Sequence, residues 1–226
     1  SHAVKTLKRA LELVADDGTI YVCGTVTVDS SLTVDGAKIE RADGYTGSLI
    51  SVSGSDTVLT LSDTVIDGRN AAGILQSGYL LNINSNATVN IEGETKIVNN
   101  KTTAVYMSSN TELNMNGGTI SGNDSSEFEY TYGGAVCSFG GNVNLNGGRI
   151  ENNKAPWGGA IMAFGGSEII LNGTVIAENT ATLYGGGGIY LYGDNSANSV
   201  VLEVQSGSIV GNVAEYGTGG GIMAHY

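Results

Sequence analysis

The chain has 226 residues, of which 22 are acidic and 10 are basic, and its formal net charge is −12. This charge argues against nucleic-acid binding and against binding to anionic membrane surfaces, because both need clustered lysine and arginine. The sequence also contains 35 glycines, a single proline and only 14% charged residues, a composition typical of an all-β domain rich in turns. No apolar run approaches the roughly 20 residues that span a bilayer, so we expect no membrane insertion.

A short amphipathic helix is predicted at the start of the chain. Apolar residues of segment 3–15 fall on one helical face and basic residues on the other, and Asp16-Asp17-Gly18 ends the pattern. We expect this segment, residues 3–17, to cap the open end of an apolar column and to block edge-to-edge pairing. A membrane-surface helix is the alternative, but the segment is short and weakly basic.

Residues 18–226 repeat a unit of roughly 28 residues. Each unit is anchored on an isoleucine, and the anchors are Ile39, Ile66, Ile97, Ile120, Ile150, Ile176 and Ile209. Alternating apolar residues precede each anchor and turn residues flank it, which predicts about three short strands per unit. A crossover helix does not fit in so short a repeat, so consecutive units must stack. The pattern predicts a right-handed parallel β-helix of about seven to eight coils.

Two recurring elements of the repeat are interpreted as structural. An asparagine lies three residues after the anchor in five units, at Asn100, Asn123, Asn153, Asn179 and Asn212. Identical stacked amides form hydrogen-bonded ladders, and we predict one here. A Gly-Gly pair follows in the last four units, where it allows the backbone to turn tightly beside the neighbouring coil.

These elements carry a resemblance to a known family. The segments GGAV (133–136), GGAI (158–161) and GGGI (186–189 and 219–222) resemble the GGA[ILV] repeats of chlamydial polymorphic outer membrane proteins. The segments ISGN (120–123), IENN (150–153), IAEN (176–179) and IVGN (209–212) resemble their FxxN motif, with Ile in place of Phe. The resemblance covers about residues 97–226. It implies a pectin-lyase-like β-helix that serves as a bacterial surface adhesin, in a Gram-negative or another envelope.

Aromatic residues in the loops of the last units form the candidate ligand-binding site. They are Tyr130, Tyr132, Trp157, Tyr184 and Tyr216. Stacked in register, these rings would make a ladder along one edge, and exposed rings bind sugars and protein side chains well. The alternative interpretation is that the rings stack on one another and shield the coil.

A second series follows the Gly-Gly pairs. Strand alternation predicts that two sets of side chains point outward, namely Cys137, Met162, Tyr190 and Met223, and then Phe139, Phe164, Tyr192 and His225. Such an exposed stripe is unusual on a soluble solenoid. For the part of the stripe formed by Phe139, Phe164 and Tyr192, we expect cover by a loop such as 124–131, by a crystal contact or by a protein partner rather than by a sugar.

An enzymatic alternative depends on one pair of carboxylates. Glu40 and Asp67 each follow an anchor on adjacent coils, with Arg41 and Arg69 nearby, and glycoside hydrolases use two such neighbouring carboxylates. This pair supports the alternative of a polysaccharide-active hydrolase or lyase domain. The simpler interpretation is a surface charge cluster with weak ion pairs.

The sequence predicts no cofactor. Asp124, Asp194 and Asn195 lie in loops that could hold calcium, but their spacing matches no defined motif. Cys23 and Cys137 are expected to lie about four coils apart, roughly 19 Å by the interstrand spacing, which predicts two free thiols.

We therefore expect an extracellular, adhesin-like module at a bacterial cell surface. Its partner would be a host or environmental glycan or a surface protein. Besides the enzyme, a purely structural stalk is the third possibility. Ser1-His2 resembles a cleavage scar and the sequence stops in mid-coil at Tyr226, so we expect a fragment of a longer protein or self-association of two molecules, end to end or face to face.

Overall fold

The computed structural model describes residues 3–193 and 198–225. A single short helix, α1, spans Leu7–Leu13, inside the predicted capping segment. The Thr6 hydroxyl caps it by accepting a hydrogen bond of 3.2 Å from the backbone N–H of Arg9. Leu7 is buried in the core of the first coil. A cavity of about 1120 Å³ is lined by α1 and by β1 and β2 of this coil.

The other described elements are strands. Those of the first half are β1 (Thr19–Val22), β2 (Val26–Val28), β3 (Leu32–Asp35), β4 (Lys38–Arg41), β5 (Ile50–Ser53), β6 (Val58–Ser62), β7 (Val65–Asp67), β8 (Leu81–Asn84), β9 (Thr88–Glu92), β10 (Lys96–Val98), β11 (Val105–Met107) and β12 (Glu112–Met115). Those of the second half are β13 (Thr119–Ser121), β14 (Val136–Phe139), β15 (Asn142–Leu145), β16 (Arg149–Glu151), β17 (Lys154–Trp157), β18 (Ile161–Phe164), β19 (Glu168–Ala177), β20 (Thr180–Gly185), β21 (Ile189–Tyr192), β22 (Val201–Val210), β23 (Val213–Ala214) and β24 (Ile222–His225).

The strands form a parallel β-solenoid, as the repeat predicts. The first face stacks β1, β4, β7, β10, β13 and β16, and the third face stacks β3, β6, β9, β12 and β15. The long strands β19 and β22 run through both of these faces. The second face stacks β2, β5, β8, β11, β14, β18, β21 and β24, and β17, β20 and β23 form a small additional sheet. The solenoid has about six turns, slightly fewer than the seven to eight coils predicted.

The isoleucine anchors lie in register along the first face. Ile39 pairs with Ile66, and the later anchors follow in the same register as far as Ile209. The structure adds Ile20, which pairs with Ile39 and extends the column by one coil. Most anchors are completely buried, so the core is a narrow apolar column that continuously fills the solenoid.

The predicted asparagine ladder is present. The side-chain amide of Asn123 donates to the Asn153 carbonyl oxygen at 2.9 Å, that of Asn153 to Asn179 at 3.0 Å, and that of Asn179 to Asn212 at 2.9 Å. The backbone N–H of Asn100 joins the series by donating to Asn123 Oδ1 at 3.0 Å. Each amide also donates to backbone carbonyls of its own turn or the adjacent one. The ladder fixes one corner of the solenoid.

The two glycines of each Gly-Gly pair have different structural roles. The first glycine of each pair has a positive φ, between 61° and 70° at Gly133, Gly158, Gly186 and Gly219, which side chains disfavour. In the first three pairs the second glycine lies against the next coil. A Cβ on Gly159 would collide with the carbonyl of Gly187 and the backbone of Thr180. The predicted role of the pair in a tight turn beside the neighbouring coil is confirmed.

Candidate functional site

A row of aromatic side chains runs along the second face of the solenoid. We name it the sheet row, and its members are Tyr79, Tyr106, Phe139, Phe164, Tyr192 and His225. Successive ring centroids lie 4.8, 5.6, 4.1, 5.9 and 5.3 Å apart. Phe139, Phe164, Tyr192 and His225 occupy equivalent positions on adjacent strands, so the predicted shared face of these four residues is correct.

The start of the sheet row is not recognised from the sequence. Tyr106 lies in register with Cys137, two residues before the position of Phe139, and Tyr79 precedes β8. Their rings nevertheless stack at an angle of 12°. The alignment of Val105-Tyr106-Met107 with Val136-Cys137-Ser138 is the signal that places Tyr106 on the outer face.

A second row lies beside the first, formed by residues that precede the Gly-Gly pairs, one in a loop and two in strands β17 and β20. We name it the loop row, and it contains Tyr132, Trp157 and Tyr184. The rings of Trp157 and Tyr184 are stacked, with centroids 3.6 Å apart and planes 19° apart. Those of Tyr132 and Trp157 are tilted, 6.3 Å apart. Three of the five rings expected to form a ladder therefore contact one another in sequence.

The register of the loop row is less regular than the sequence suggests. Tyr132 forms a bridge with Trp157, but a bulge pairs Trp157 with Gly185 instead of Tyr184. Gly185 in turn is bridged to Thr218, which leaves Tyr216 out of register. Because of this offset, Tyr216 does not continue the stack of rings and is 82% exposed.

The predicted exposure of the Cys137, Met162 and Tyr190 series is wrong. These side chains alternate with the core residues of β14, β18 and β21, yet each is no more than 2% exposed. The loop row packs over this face: the ring centroids of Tyr132 and Phe164 lie 5.0 Å apart, and those of Trp157 and Tyr190 lie 5.4 Å apart, both in edge-to-face geometry.

Burial beneath these rings changes the acidity of the covered groups. Desolvation raises the pKa of Tyr79 to about 12, and it raises the pKa values of Tyr106, Tyr132 and Tyr190. It also raises the pKa of the Cys137 thiol. The tyrosine hydroxyls are therefore protonated at neutral pH, and the thiol is a poor nucleophile.

Three candidate rings are left open to solvent. Tyr130 is 63% exposed and Tyr184 is 38% exposed, in addition to Tyr216. The backbone that carries Tyr130 is held firmly, because Gln76 Nε2 donates to its carbonyl at 2.8 Å and Thr131 Oγ1 donates to the Ser125 carbonyl at 2.6 Å. Tyr130 thus projects from an ordered support, which limits the entropy lost when a ligand binds.

The carboxylates of the enzymatic alternative are engaged within the protein. Glu40 and Asp67 are partners on adjacent strands. Glu40 lies 2.7 Å from Lys38 Nζ and 3.6 Å from Arg69 Nε, and Asp67 Oδ1 accepts from the backbone N–H of Arg69 at 2.6 Å. A depression of about 240 Å³ lies nearby. It is lined by Arg41, Ala42, Asp43, Gly44, Arg69, Ala71 and Ala72, so neither carboxylate opens onto it.

The calcium hypothesis gains no geometric support. Asp124 Oδ1 accepts from the backbone and hydroxyl of Ser126 at 3.0 and 2.5 Å, while Asp194 and Asn195 lie outside the described residues. Within 3–193 and 198–225, no three His, Cys, Asp or Glu side chains are grouped to hold a metal ion. Cys23 and Cys137 are both free thiols.

No family model, curated protein sequence or solved structure significantly matches this chain. Over the described parts of the chain, no helix is long and apolar enough to cross a membrane.

Proposed function

We propose that this chain is an adhesin-like binding module of a bacterial cell surface, which holds a glycan or a protein ligand on its exposed loop aromatics. The observation that carries the proposal is the exposure of Tyr130, Tyr184 and Tyr216 on one side of a solenoid. Exposed rings of this kind contribute strongly to binding at interfaces. The repeats that resemble those of polymorphic outer membrane proteins support an extracellular, pectin-lyase-like assignment.

The stacked rings and the open rings play different parts in this proposal. Trp157 is enclosed by Tyr132, Tyr184 and Tyr190, so it supports the surface more than it contacts a ligand. Its replacement would disturb packing together with binding. Tyr130, Tyr184 and Tyr216 are therefore the informative positions to change.

The test is a screen of the purified protein against immobilised glycans and extracellular proteins. The triple variant Tyr130→Ala/Tyr184→Ala/Tyr216→Ala should lose binding to the ligand class that the unmodified protein recognises. Tyr21→Ala is the matched control, since Tyr21 is also exposed, at 58%, but lies on β1 at the other end of the solenoid. Equal binding by the triple variant would refute the proposal, and absence of any ligand would favour a structural stalk.

A further inference from the structure

Charge is distributed unevenly along the solenoid. No lysine or arginine follows Lys154 in the sequence, whereas acidic residues continue, at Glu168, Glu178, Asp194, Glu203 and Glu215. Lys154 itself lies 3.8 Å from the Glu215 carboxylate. The coils that carry Tyr184 and Tyr216, which contain no lysine or arginine, thus present a negative field with little to offset it.

Carboxylates also lie next to the open rings. Glu127 and Glu129 are exposed on the loop that carries Tyr130, and the Tyr184 hydroxyl lies 3.5 Å from Glu129 Oε1, to which it donates. Desolvation, followed by the charge of Glu129 and by Tyr130, raises the pKa of Tyr184, which agrees with a compact cluster of these three side chains. The cluster combines ring faces with a negative charge.

We propose that Tyr130, Tyr184 and Glu129 bind lysine or arginine side chains of a polypeptide partner. The inference rests on the proposed function and specifies its ligand. A cation gains from the negative face of an aromatic ring and from a neighbouring carboxylate at once. Uronate, sialylated or sulfated glycans would be repelled, and a neutral sugar would use Glu129 only as a hydrogen-bond acceptor. A basic peptide segment is the class that gains from the negative charge of Glu129 as well as from the ring faces.

The probe is a set of three immobilised peptides with the same alternating glycine sequence, which differ only in carrying lysine, acetyl-lysine or glutamate. We expect the lysine peptide to bind roughly tenfold more tightly than the acetylated one, with affinity falling as salt is added. Glu129→Gln and Tyr184→Leu should each weaken lysine binding roughly threefold to tenfold. Tyr184→Phe, which keeps the ring, should weaken it less than Tyr184→Leu. Glu94→Gln, at an exposed carboxylate of an earlier coil, should leave it unchanged.

The outcomes separate this inference from the function on which it rests. Equal binding of the lysine and acetyl-lysine peptides, or a preference for the glutamate peptide, would overturn the basic-ligand proposal. Ring-dependent binding of a neutral glycan, without lysine binding, would overturn it too while preserving the binding module. If the triple tyrosine variant binds every probe as the unmodified protein does, both proposals fail together.

Discussion

Arg41 Nη2 donates a hydrogen bond of 3.0 Å to the side-chain carbonyl of Asn100, the first amide of the asparagine ladder. The first two coils have Ala42 and Arg69 where later coils have asparagine, so the ladder has no amide donor at this end. Arg41 supplies the missing donors, and it also donates to the carbonyls of Gly78, at 3.0 Å, and Gly47. Its side chain is 1% exposed. Desolvation lowers the pKa of Arg41 to about 10, which still leaves it charged at neutral pH.

Removing this cap should destabilise the solenoid. Arg41→Met keeps much of the side-chain volume but leaves the Asn100 and Gly78 carbonyl oxygens without this donor, at a cost of about 2–4 kcal/mol in unfolding free energy. Urea denaturation followed by circular dichroism measures the change. Arg149→Met is the control, because the exposed Arg149–Glu151 ion pair should contribute about 0–1 kcal/mol. Similar losses for both variants would contradict the capping role.

The residues that stack at equivalent positions of the coils can be predicted from the repeated sequence. The anchor column from Ile39 to Ile209 could be predicted, since stacked coils must present apolar residues at equivalent positions. The role of Arg41 could not, because an isolated arginine is normally a surface residue and its acceptor lies 59 residues away. The burial of Cys137 was missed for a related reason. Strand alternation fixes the direction of a side chain, but a ring from a separate loop decides whether that side chain meets water.

The ladder itself predicts a second stability difference. Asn153 donates to Asn179 and to the carbonyls of Ile120 and Glu151. Because Asn153→Ala would leave several buried partners without a hydrogen bond, we expect it to lower the unfolding free energy by about 3 kcal/mol or more. Asn146→Ala is the matched control. The Asn146 side chain donates an exposed hydrogen bond of 2.9 Å to the side-chain oxygen of Asn116, and its loss should cost less than about 1 kcal/mol. Denaturation curves with equal midpoints would show that the ladder does not stabilise the fold.

The second glycine of the first three Gly-Gly pairs should tolerate no side chain. Gly159→Ala places a methyl group against the Gly187 carbonyl and the Thr180 backbone, and neither can move without separating two coils. We expect a loss of roughly 3–5 kcal/mol or failure to fold. Gly24→Ala is the control, because nothing lies within 4 Å of a Cβ built there. A well-folded Gly159→Ala protein with an unchanged thermal midpoint would refute the close-approach argument.

The two thiols should differ sharply in reactivity. Cys23 is exposed and Cys137 is buried, and burial raises the pKa of the Cys137 thiol, so a thiol reagent should modify only Cys23 in the native protein. Mass spectrometry after brief labelling should detect one adduct on the unmodified protein. The Cys23→Ser variant should carry no adduct until denaturant is added. Rapid native labelling of Cys137 would mean that the aromatic cover opens readily.

Alkaline pH should lower the stability of the fold, because several tyrosines of the aromatic rows are buried or partly buried. An unfolded tyrosine loses its proton near its ordinary pKa of 10, whereas Tyr79 in the native state keeps it up to about 12, and Tyr106, Tyr132 and Tyr190 are shifted in the same direction. Between these pH values the unfolded chain binds fewer protons than the native one, so stability falls as pH rises.

Arg41 acts in the opposite direction, because its lowered pKa makes the unfolded chain bind more protons above pH 10 or so. Four shifted tyrosines should outweigh one arginine. Urea midpoints should therefore decrease from pH 10 towards pH 12, and ultraviolet titration of the native protein should show phenolate forming in two steps. Tyr79→Phe should reduce the decrease, because its ring stays packed on Tyr106 without a titrating hydroxyl. A single native titration step near pH 10, or the same pH dependence in Tyr79→Phe, would contradict the burial of these hydroxyls.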